Sequence, residues 1–372
     1  MRAALTGLAL AALAVTGSAT TTAVPVSASA TSWTIQPTPS LKGQPGYLTD
    51  VACYSADGCL AVGGHNPNQN TDQGLIEQWQ DGTWKKLAVA VNNATPEGVS
   101  CTSGPSCLLV GVRFAGTSTL EWAMEWSGGR WTADQPPAAA GLTSILTGAS
   151  CVSATDCLAV GWDASSTVTA LVQQWDGHRW SDLPAPHVPG AVQTHLLDIS
   201  CPTSKDCIAV GSYIYKGVGK QHPLAAQWNG ERWAVQQPPV PSSASASLTA
   251  VSCASASSCT AVGQRSLGGT RPLAEVWNGH AWTEQTVGPA GGGLTGISCV
   301  SAISCTAVGD VTNSSGGAAL ADRWNGSTWA VQPTATPARD KVLNGVSCVS
   351  AGTCTAVGIN AEIDGGTLAE HE

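Results

Sequence analysis

The residues best placed to do chemistry in this sequence are its cysteines. The chain has 14 cysteines among 372 residues, and they fall into seven pairs with five residues between partners. Closing so short a loop restricts the unfolded chain, by roughly 2 kcal/mol per bridge. We therefore predict seven disulfides: Cys53 with Cys59, Cys101 with Cys107, Cys151 with Cys157, Cys201 with Cys207, Cys253 with Cys259, Cys299 with Cys305, and Cys348 with Cys354.

Metal binding and redox catalysis are two other uses for paired cysteines, and the sequence favours neither. Structural zinc needs four converging ligands, and no histidine or second cysteine pair accompanies each hairpin. A redox-active pair needs a lowered thiol pKa, and no cationic side chain recurs beside the pairs. We expect no metal and no cofactor.

Sequence signatures of catalysis are also missing. There is no G-x-S-x-G, no HExxH and no phosphate-binding glycine loop, and the seven histidines are scattered. Asp163, Asp310, Glu362 and Asp364 could still converge as the acid and base of a glycoside hydrolase. Sequence spacing does not establish that convergence, so an enzyme stays an alternative.

The cysteine pairs mark an internal repeat of about 49 residues. Residues 248–263 (LTAVSCASASSCTAVG) and 273–285 (LAEVWNGHAWTEQ) give the clearest unit. Each unit has four strand-like segments. The first ends at the first cysteine, the second begins at the second cysteine, the third ends at a Trp and the fourth begins at another Trp. Asn-Gly or Asp-Gly often joins the last two segments and accepts the positive φ angles of a hairpin turn. We predict an all-β chain of seven four-stranded antiparallel units.

Residues 1–30 have the layout of a secretory signal peptide. Met1 and Arg2 precede an apolar run over residues 3–15, and small residues end at Ala30, with cleavage after Ala19 as the alternative. The apolar run is shorter than the roughly 18 to 20 residues that a membrane-spanning helix needs. We expect a secreted protein without membrane insertion, in which residues 31–372 form one domain.

The two ends of the chain complement each other. The seventh unit stops at residues 368–372 (LAEHE), one strand short of the others. The missing pattern stands at residues 32–40 (SWTIQPTPS), which matches residues 328–336 (TWAVQPTAT) of the sixth unit. We predict that the strand beginning at Trp33 pairs with residues 368–370 and closes the units into a ring without open sheet edges.

This arrangement resembles the β-propellers of the WD40 and kelch kind, and the resemblance covers essentially all of residues 31–372. It implies a seven-bladed propeller closed by an N-terminal strand. The Gly-His and Trp-Asp marks of WD40 and the double Gly of kelch are absent, so the resemblance carries over no activity residue by residue.

Positions near the propeller axis should carry small side chains, because the blades crowd together there. Gly or Ala stands three residues before the first cysteine in five units, whereas Asp50 and Asp198 occupy that position in the other two. We expect these two side chains to line the channel as solvated carboxylates, with a cation or a sugar hydroxyl as an alternative ligand. The Trp pairs should fill the wider gaps between the outer parts of the blades.

Loops of unequal sequence join the second strand to the third, and they should share the face opposite the cysteine hairpins. Binding residues concentrate on such loops when a rigid scaffold holds them. The candidate ligand-binding residues are the aromatic and polar side chains near these loops: His65, Asp72, Arg113, Phe114, Trp122, Trp162, Asp163, Tyr213, Tyr215, Lys216, Arg265 and Asp310.

The leading hypothesis is a secreted, monomeric, non-catalytic module that binds carbohydrate or a cell-surface polymer through the variable loops. A polysaccharide hydrolase or lyase, and a scaffold for an extracellular protein, are the alternatives. Nucleic acid and anionic membranes are poor partners, because the net charge of −9 offers no positive field to collect phosphates.

The disulfide prediction has a direct test in the mass of the intact exported protein. Without reductant, that mass should be about 14 Da lower than after full reduction, because each of the seven bonds removes two hydrogens. A smaller difference in intact-mass spectrometry would contradict complete pairing.

Overall fold

The computed structural model describes most of the chain that follows the predicted signal peptide. The described residues are 32–39, 41, 45–66, 73–89, 91–103, 106–133, 135–137, 143–165, 167–241, 243–313, 316–335, 341–360 and 366–372. The predicted signal peptide at residues 1–30 lies outside them, as do Asp72, Glu362 and Asp364. No helix in this described part is long and apolar enough to cross a membrane.

The described residues form strands and no helix, as the sequence predicts, and the strands fall into repeat units that we number along the chain. Unit 1 contains β2 (Gly46–Ser55), β3 (Gly58–His65), β4 (Gln73–Gln80) and β5 (Thr83–Lys86). Unit 2 contains β6 (Ala94–Cys101), β7 (Ser106–Ala115), β8 (Ser118–Ser127) and β9 (Arg130–Ala133). Unit 3 contains β10 (Thr143–Ser153), β11 (Asp156–Ala164), β12 (Val168–Trp175) and β13 (Trp180–Asp182). Unit 4 contains β14 (Ala191–Thr203), β15 (Asp206–Tyr215), β16 (His222–Trp228) and β17 (Trp233–Gln236).

The later units follow the same plan. Unit 5 contains β18 (Ser245–Ser255), β19 (Ser258–Ser266), β20 (Thr270–Trp277) and β21 (Trp282–Gln285). Unit 6 contains β22 (Gly292–Ser301), β23 (Ser304–Asn313), β24 (Gly316–Trp324) and β25 (Trp329–Gln332). Unit 7 contains β26 (Lys341–Ser350), β27 (Thr353–Asn360), β28 (Gly366–His371) and β1 (Thr34–Gln36).

Antiparallel pairing joins successive strands within each unit. Units 1, 5, 6 and 7 are separate four-stranded sheets, whereas units 2, 3 and 4 form one twelve-stranded sheet. Each link inside the larger sheet is a single parallel residue pair, Thr119 with Thr143 and Val168 with Gln193. The sequence did not predict these links, which join the third strand of one unit to the first strand of the next.

The amino-terminal strand β1 belongs to the sheet of unit 7. It pairs antiparallel with β28, and Ile35 lies opposite Glu370. A second contact holds β1 to unit 1, where the indole N–H of Trp84 donates to Gln36 Oε1 at 2.8 Å. The Trp33 side chain is only 2% exposed. Strand β1 is therefore held to unit 7 by backbone pairing and to unit 1 by a side-chain hydrogen bond.

The hairpin turns between third and fourth strands are of two kinds. Asp81 and Gly82 both have positive φ angles, 53° and 73°, as a two-residue hairpin turn requires. In the Asn278-Gly279 turn only the glycine has a positive φ, and Asn278 Oδ1 instead accepts the N–H groups of His280 and Ala281 at 2.9 Å. The expectation that Asn-Gly acts through two positive φ angles is wrong for that turn, because the asparagine side chain organises it.

The predicted disulfides and Trp pairs are both present. All seven cysteine pairs are bonded with the predicted partners. The two Trp rings of a unit pack in a tilted arrangement, with centroids 5.7 Å apart for Trp79 and Trp84 and 5.6 Å apart for Trp277 and Trp282. These pairs occur in units 1 to 6 and give each of those units a large apolar outer end.

Carboxyl groups are buried within several third strands, two residues before the position of the Trp. Glu77, Glu275, Asp322 and Glu370 are all 0% exposed. Burial raises the pKa of Glu77 and of Glu275 to about 8, and the charge of Glu284 adds to the effect at Glu275 while Arg265 opposes it. These groups therefore retain protons in the folded protein at pH values where they would lose them in the unfolded chain.

Replacing Glu275 with Gln tests this consequence. Because the folded-state pKa is raised above the unfolded value of about 4.3, ionisation should cost stability progressively as the pH rises from about 4 to about 8. Glu275→Gln should therefore be more stable than the native protein at pH 8.5, and the gain should shrink at pH 5. Urea unfolding at both pH values measures the difference, with exposed Glu231→Gln as the control. A destabilisation of equal size at both pH values would contradict the prediction.

Candidate functional site

Most of the candidate ligand-binding residues lie at one edge of their sheets. The cysteine hairpins join first and second strands at one end of the strands, which we call the hairpin edge. The second strands therefore finish at the opposite end of the sheet, which we call the variable edge. Candidates at or just after the ends of second strands are His65, Arg113, Phe114, Trp162, Asp163, Tyr213, Tyr215, Lys216, Arg265 and Asp310. Asp72 lies outside the described residues.

Three rings of unit 4 form a cluster at the variable edge. Tyr213 stacks on His222 with centroids 5.2 Å apart, and Tyr215 meets both rings edge-on at 5.2 and 5.4 Å. Tyr213 is buried, whereas Tyr215 and His222 are partly exposed. Burial, reinforced by the hydroxyl of Tyr215, raises the pKa of Tyr213 to about 12, and burial lowers the pKa of His222. At neutral pH the cluster is therefore an uncharged set of rings and hydrogen-bonding groups.

A second ring contact joins units 3 and 4 at the same edge. Trp162 meets His195 edge-on with centroids 5.4 Å apart, and burial lowers the pKa of His195. A nearby cavity of about 310 Å³ between the two units is lined by Ala164, Ser165, Thr167, Val168, Val192 and Gln193. The structure thus brings Trp162 and the unit 4 cluster to the variable edge of two adjacent units.

Trp122 is withdrawn from the candidate surface. Its side chain is 4% exposed and belongs to the core shared by units 1 and 2. Trp122 in β8 lies opposite Gly111, just as Leu75 in β4 lies opposite Gly63. Trp122 therefore occupies the leucine position of the repeat. Sequence reasoning placed it in a loop because the tryptophan hid that equivalence.

The remaining candidates are Asp163 of unit 3, Lys216 of unit 4 and residues of units 1, 2, 5 and 6. Arg265 forms an ion pair with Glu284 at 3.0 Å. His65 and Asp163 are buried, and burial lowers the pKa of His65. Asp310 is half-buried, and burial raises its pKa. Phe114 at 38% exposure and Lys216 are open to solvent. None of these residues belongs to the three-ring cluster of unit 4 or to the Trp162–His195 contact.

The first strands of all seven units line a cavity of about 120 Å³, which we call the inner-strand cavity. Its lining includes Asp50, Asp198 and Glu97 together with threonine, glycine and apolar residues. Burial raises the pKa of Asp50 to about 6 and that of Asp198 to about 7, and the charge of Asp50 contributes to the shift at Asp198.

Asp50 and Asp198 connect neighbouring first strands. Asp198 accepts the N–H of Ile199 at 2.7 Å and, across the junction, the N–H of Val251 in unit 5 at 2.8 Å. Asp50 accepts the N–H of Val51 at 2.8 Å and, across the junction, the N–H of Val99 in unit 2 at 2.9 Å. Solvated carboxylates were expected at these two positions, but each carboxylate accepts two backbone N–H groups.

Sequence reasoning missed the serine that precedes the first cysteine. At six junctions its Oγ accepts the N–H of the first cysteine of the next unit at 2.9–3.0 Å. One of these bonds runs from Cys53 in unit 1 to Ser347 in unit 7. The recurrent Ser-Cys dipeptide was the available signal. The exception is Ala52, at the junction between units 1 and 2.

A second overlooked feature lies at that exceptional junction, on the hairpin edge. A groove of about 560 Å³ separates units 1 and 2 there. Its described lining consists of Tyr54, Ser55, Asp57, Gly58, Gln78, Gln80, Asp81, Leu87, Trp126, Gly128, Gly129 and Trp131. The signal in the sequence was Tyr54, the one aromatic residue that directly follows the first cysteine of a unit.

Metal ligation finds no support among the described side chains. Within the part of the chain that the structure describes, no group of three or more His, Cys, Asp or Glu residues is placed to hold an ion.

Comparison with known proteins identifies the architecture. No protein-family model and no curated protein matches the chain. Among solved structures, YCF48 bound to D1 peptide is similar over 91% of this chain and 94% of its own, with TM-score 0.57 and 12% identity. YCF48 from Cyanidioschyzon merolae covers 91% and 98%, with TM-score 0.58 and 14% identity. The propeller domain of the Trilobed protease from Pyrococcus furiosus covers 86% and 93%, with TM-score 0.55 and 9% identity.

These similarities define the class of protein. The chain is an all-β protein with a β-propeller repeat architecture, as the repeat and its resemblance to propellers predict. Identities of 9–14% establish the fold alone.

Removing the carboxylate of Asp198 tests its role at the junction. Asp198→Ala should lower the free energy of unfolding by about 1–3 kcal/mol, because two backbone N–H groups lose their acceptor. Urea unfolding at pH 5, below the raised pKa of Asp198 of about 7, measures the loss without the cost of burying the ionised carboxylate. Glu231→Ala, at an exposed turn, provides the control. Equal stability of the two variants would show that solvent replaces the carboxylate without cost.

Proposed function

We propose that this protein is an exported, non-catalytic propeller that binds carbohydrate or another cell-surface polymer through its variable edge. Three components of the proposal have separate support: export, closure into a seven-bladed ring, and the class of ligand.

Export is supported by the signal-like residues 1–30 and by the seven disulfides. Disulfides form and persist in oxidising compartments, and a cytosolic protein would rarely retain seven.

A closed ring of seven blades, spanning residues 31–372, is supported by contacts between the first and last units. Asn344 in unit 7 donates to the carbonyl of Leu48 in unit 1 at 2.7 Å. The same position makes equivalent bonds farther along the chain, where Thr147 donates to the Leu196 carbonyl at 3.0 Å and Thr295 to the Leu343 carbonyl at 2.7 Å. Unit 7 thus contacts unit 1 as one interior unit contacts the next.

Carbohydrate is favoured by one observation above all: the aromatic and uncharged polar side chains at the variable edge of units 3 and 4. Trp162 and Tyr215 are partly exposed rings, and Ser165, Thr167 and Gln193 line the adjacent cavity. Rings offer apolar faces for the C–H groups of a sugar, while hydroxyl and amide groups bond its hydroxyls. The overall charge of −9 disfavours a polyanionic polymer.

A polypeptide partner is the second candidate. YCF48, whose fold is similar, has been solved with a D1 peptide. Phe114 and Leu267, at 38% and 52% exposure, are apolar side chains near the variable edge that a peptide could cover. In this version the propeller is a scaffold, and its partner is an extracellular protein.

The hydrolase or lyase alternative has less support. Asp163 and Asp310 belong to units 3 and 6, and none of the cavities described above includes both. Glu362 and Asp364 lie outside the described residues. We therefore propose binding without catalysis, by a protein that is monomeric in solution.

Binding to glycan and peptidoglycan arrays tests the carbohydrate proposal. The purified exported protein should bind at least one uncharged glycan, and Trp162→Ala or Tyr215→Ala should weaken that binding by about tenfold, the effect of losing one stacking ring. Ile303→Ala, which truncates a side chain 65% exposed at the hairpin edge, is the control and should leave binding unchanged.

Two results would contradict the proposal. One is the absence of glycan binding by a folded protein that captures a peptide instead. The other is glycan binding that both Trp162→Ala and Tyr215→Ala leave intact, which would remove the variable edge of units 3 and 4 from the site.

A further inference from the structure

The groove at the hairpin edge between units 1 and 2 uses none of the residues of the proposed function. It lies on the edge opposite the variable loops and has a volume of about 560 Å³. Pockets that hold small ligands commonly measure about 300–1,000 Å³. Comparison of the seven units identifies which residues make this groove different.

Tyr54 and Gly58 form a matched pair that occurs in unit 1 alone. The residue after the first cysteine is small or aliphatic elsewhere: Thr102, Val152, Pro202, Ala254, Val300 and Val349. The residue before the second cysteine elsewhere carries a side chain: Ser106, Asp156, Asp206, Ser258, Ser304 and Thr353. A Cβ at position 58 would overlap the Tyr54 ring. The glycine therefore provides the space in which the tyrosine lies.

Two contacts are missing at this junction: the serine bond that joins units at the other six junctions, and the glutamine–indole bond that is present at three of them. Ala52 has no hydroxyl to accept the N–H of Cys101, although serine does so at the other six junctions. Leu87 stands where Gln36, Gln236 and Gln285 each accept an indole N–H from the next unit. Leu87 cannot accept such a bond, and it lines the groove together with Trp131. The local loss of repeat contacts accompanies a cavity, which is the pattern expected at a functional site.

The aromatic rings of the groove form a stepped platform. The centroids of Tyr54 and Trp126 are 5.8 Å apart at 44°, and those of Trp126 and Trp131 are 6.1 Å apart at 33°. Gln78 Nε2 donates to the Tyr54 hydroxyl at 3.1 Å and helps to fix that ring. At these distances the rings contact one another, so a ligand cannot enter between them as a cation enters an aromatic cage. It must lie along the outer faces.

The polar groups of the groove select the chemistry of that ligand. Ser55, Asp57, Gln80 and Asp81 line it with hydroxyl, amide and carboxylate groups. No Lys, Arg or His is among its described lining residues, whereas Asp57 and Asp81 are, so the lining offers a phosphate, sulfate or uronate carboxylates instead of cations. A flat ligand with apolar C–H faces and several hydroxyl groups fits both the rings and the acceptors.

We infer that the groove between units 1 and 2 binds an uncharged pyranose unit of a polysaccharide, stacked along Tyr54 and Trp131 and hydrogen-bonded to the flanking amides and carboxylates. This site is independent of the variable edge, and it would remain if that edge bound a peptide.

Replacing residues of unit 1 with the residues found at the same positions in other units tests the inference with little risk to folding. Tyr54→Val introduces the residue of units 3, 6 and 7, and Gly58→Ser introduces that of units 2, 5 and 6. The first removes a stacking ring, and the second displaces that ring while keeping it in the protein. Val152→Ala is the matched control, at the equivalent position of unit 3.

The probes are glucose, N-acetylglucosamine, cellobiose and chitobiose, with glucuronate and inorganic phosphate as anionic comparisons. Saturation-transfer NMR and calorimetry on the intact exported protein should detect binding of at least one neutral sugar and none of either anion. Tyr54→Val and Gly58→Ser should each weaken that binding by about tenfold, whereas Val152→Ala should not change it.

Three results would overturn the inference: no neutral sugar binding, sugar binding that survives both Tyr54→Val and Gly58→Ser, or stronger binding of glucuronate or phosphate. Sugar binding lost in Trp162→Ala but kept in Tyr54→Val would support the variable edge and reject the groove. The reverse pattern would support the groove and reject the variable edge.

Discussion

The close approach of neighbouring first strands around the inner-strand cavity is the constraint on which the rest of the structure depends. A Cβ at Gly148 would lie 3.0 Å from Asp198 Cα, and one at Gly345 would lie 2.9 Å from Asp50 Cα. Because the backbones are so close, a serine hydroxyl or an aspartate carboxylate can reach the N–H of the next unit. Tight packing and junction hydrogen bonds thus have a common geometric origin.

This inner constraint leaves the outer parts of the units farther apart and lets the two edges differ. Trp rings fill the wider spaces, and at three junctions a glutamine amide oxygen accepts an indole N–H from the next unit, as Gln285 does from Trp329. The variable edge gathers loops of unequal sequence, whereas the hairpin edge repeats its short turns. The groove beside Tyr54 shows that a repeated edge can also become specialised when a few positions depart from the pattern.

Much of the fold could be predicted because periodic spacing reports local pairing directly. Five residues between Cys253 and Cys259 fit a tight hairpin, and the disulfide is present there. Individual site residues were harder to place, because their surroundings come from other units. Trp122 was predicted to be a loop aromatic but fills the core, and Tyr54, which was not singled out from the sequence, packs against Trp126 of the next unit.

The all-β composition, the repeat and the disulfide partners could all be predicted from the sequence, because each depends on residues close together along the chain. The bond from the backbone of unit 5 to Asp198, and the contact of Trp162 with His195 across a junction, arise from the folding of the whole chain. The spacing of residues within one unit carries no information about the separation between units. That separation follows from how closely the first strands pack, so the contents of each junction appear only in the folded protein.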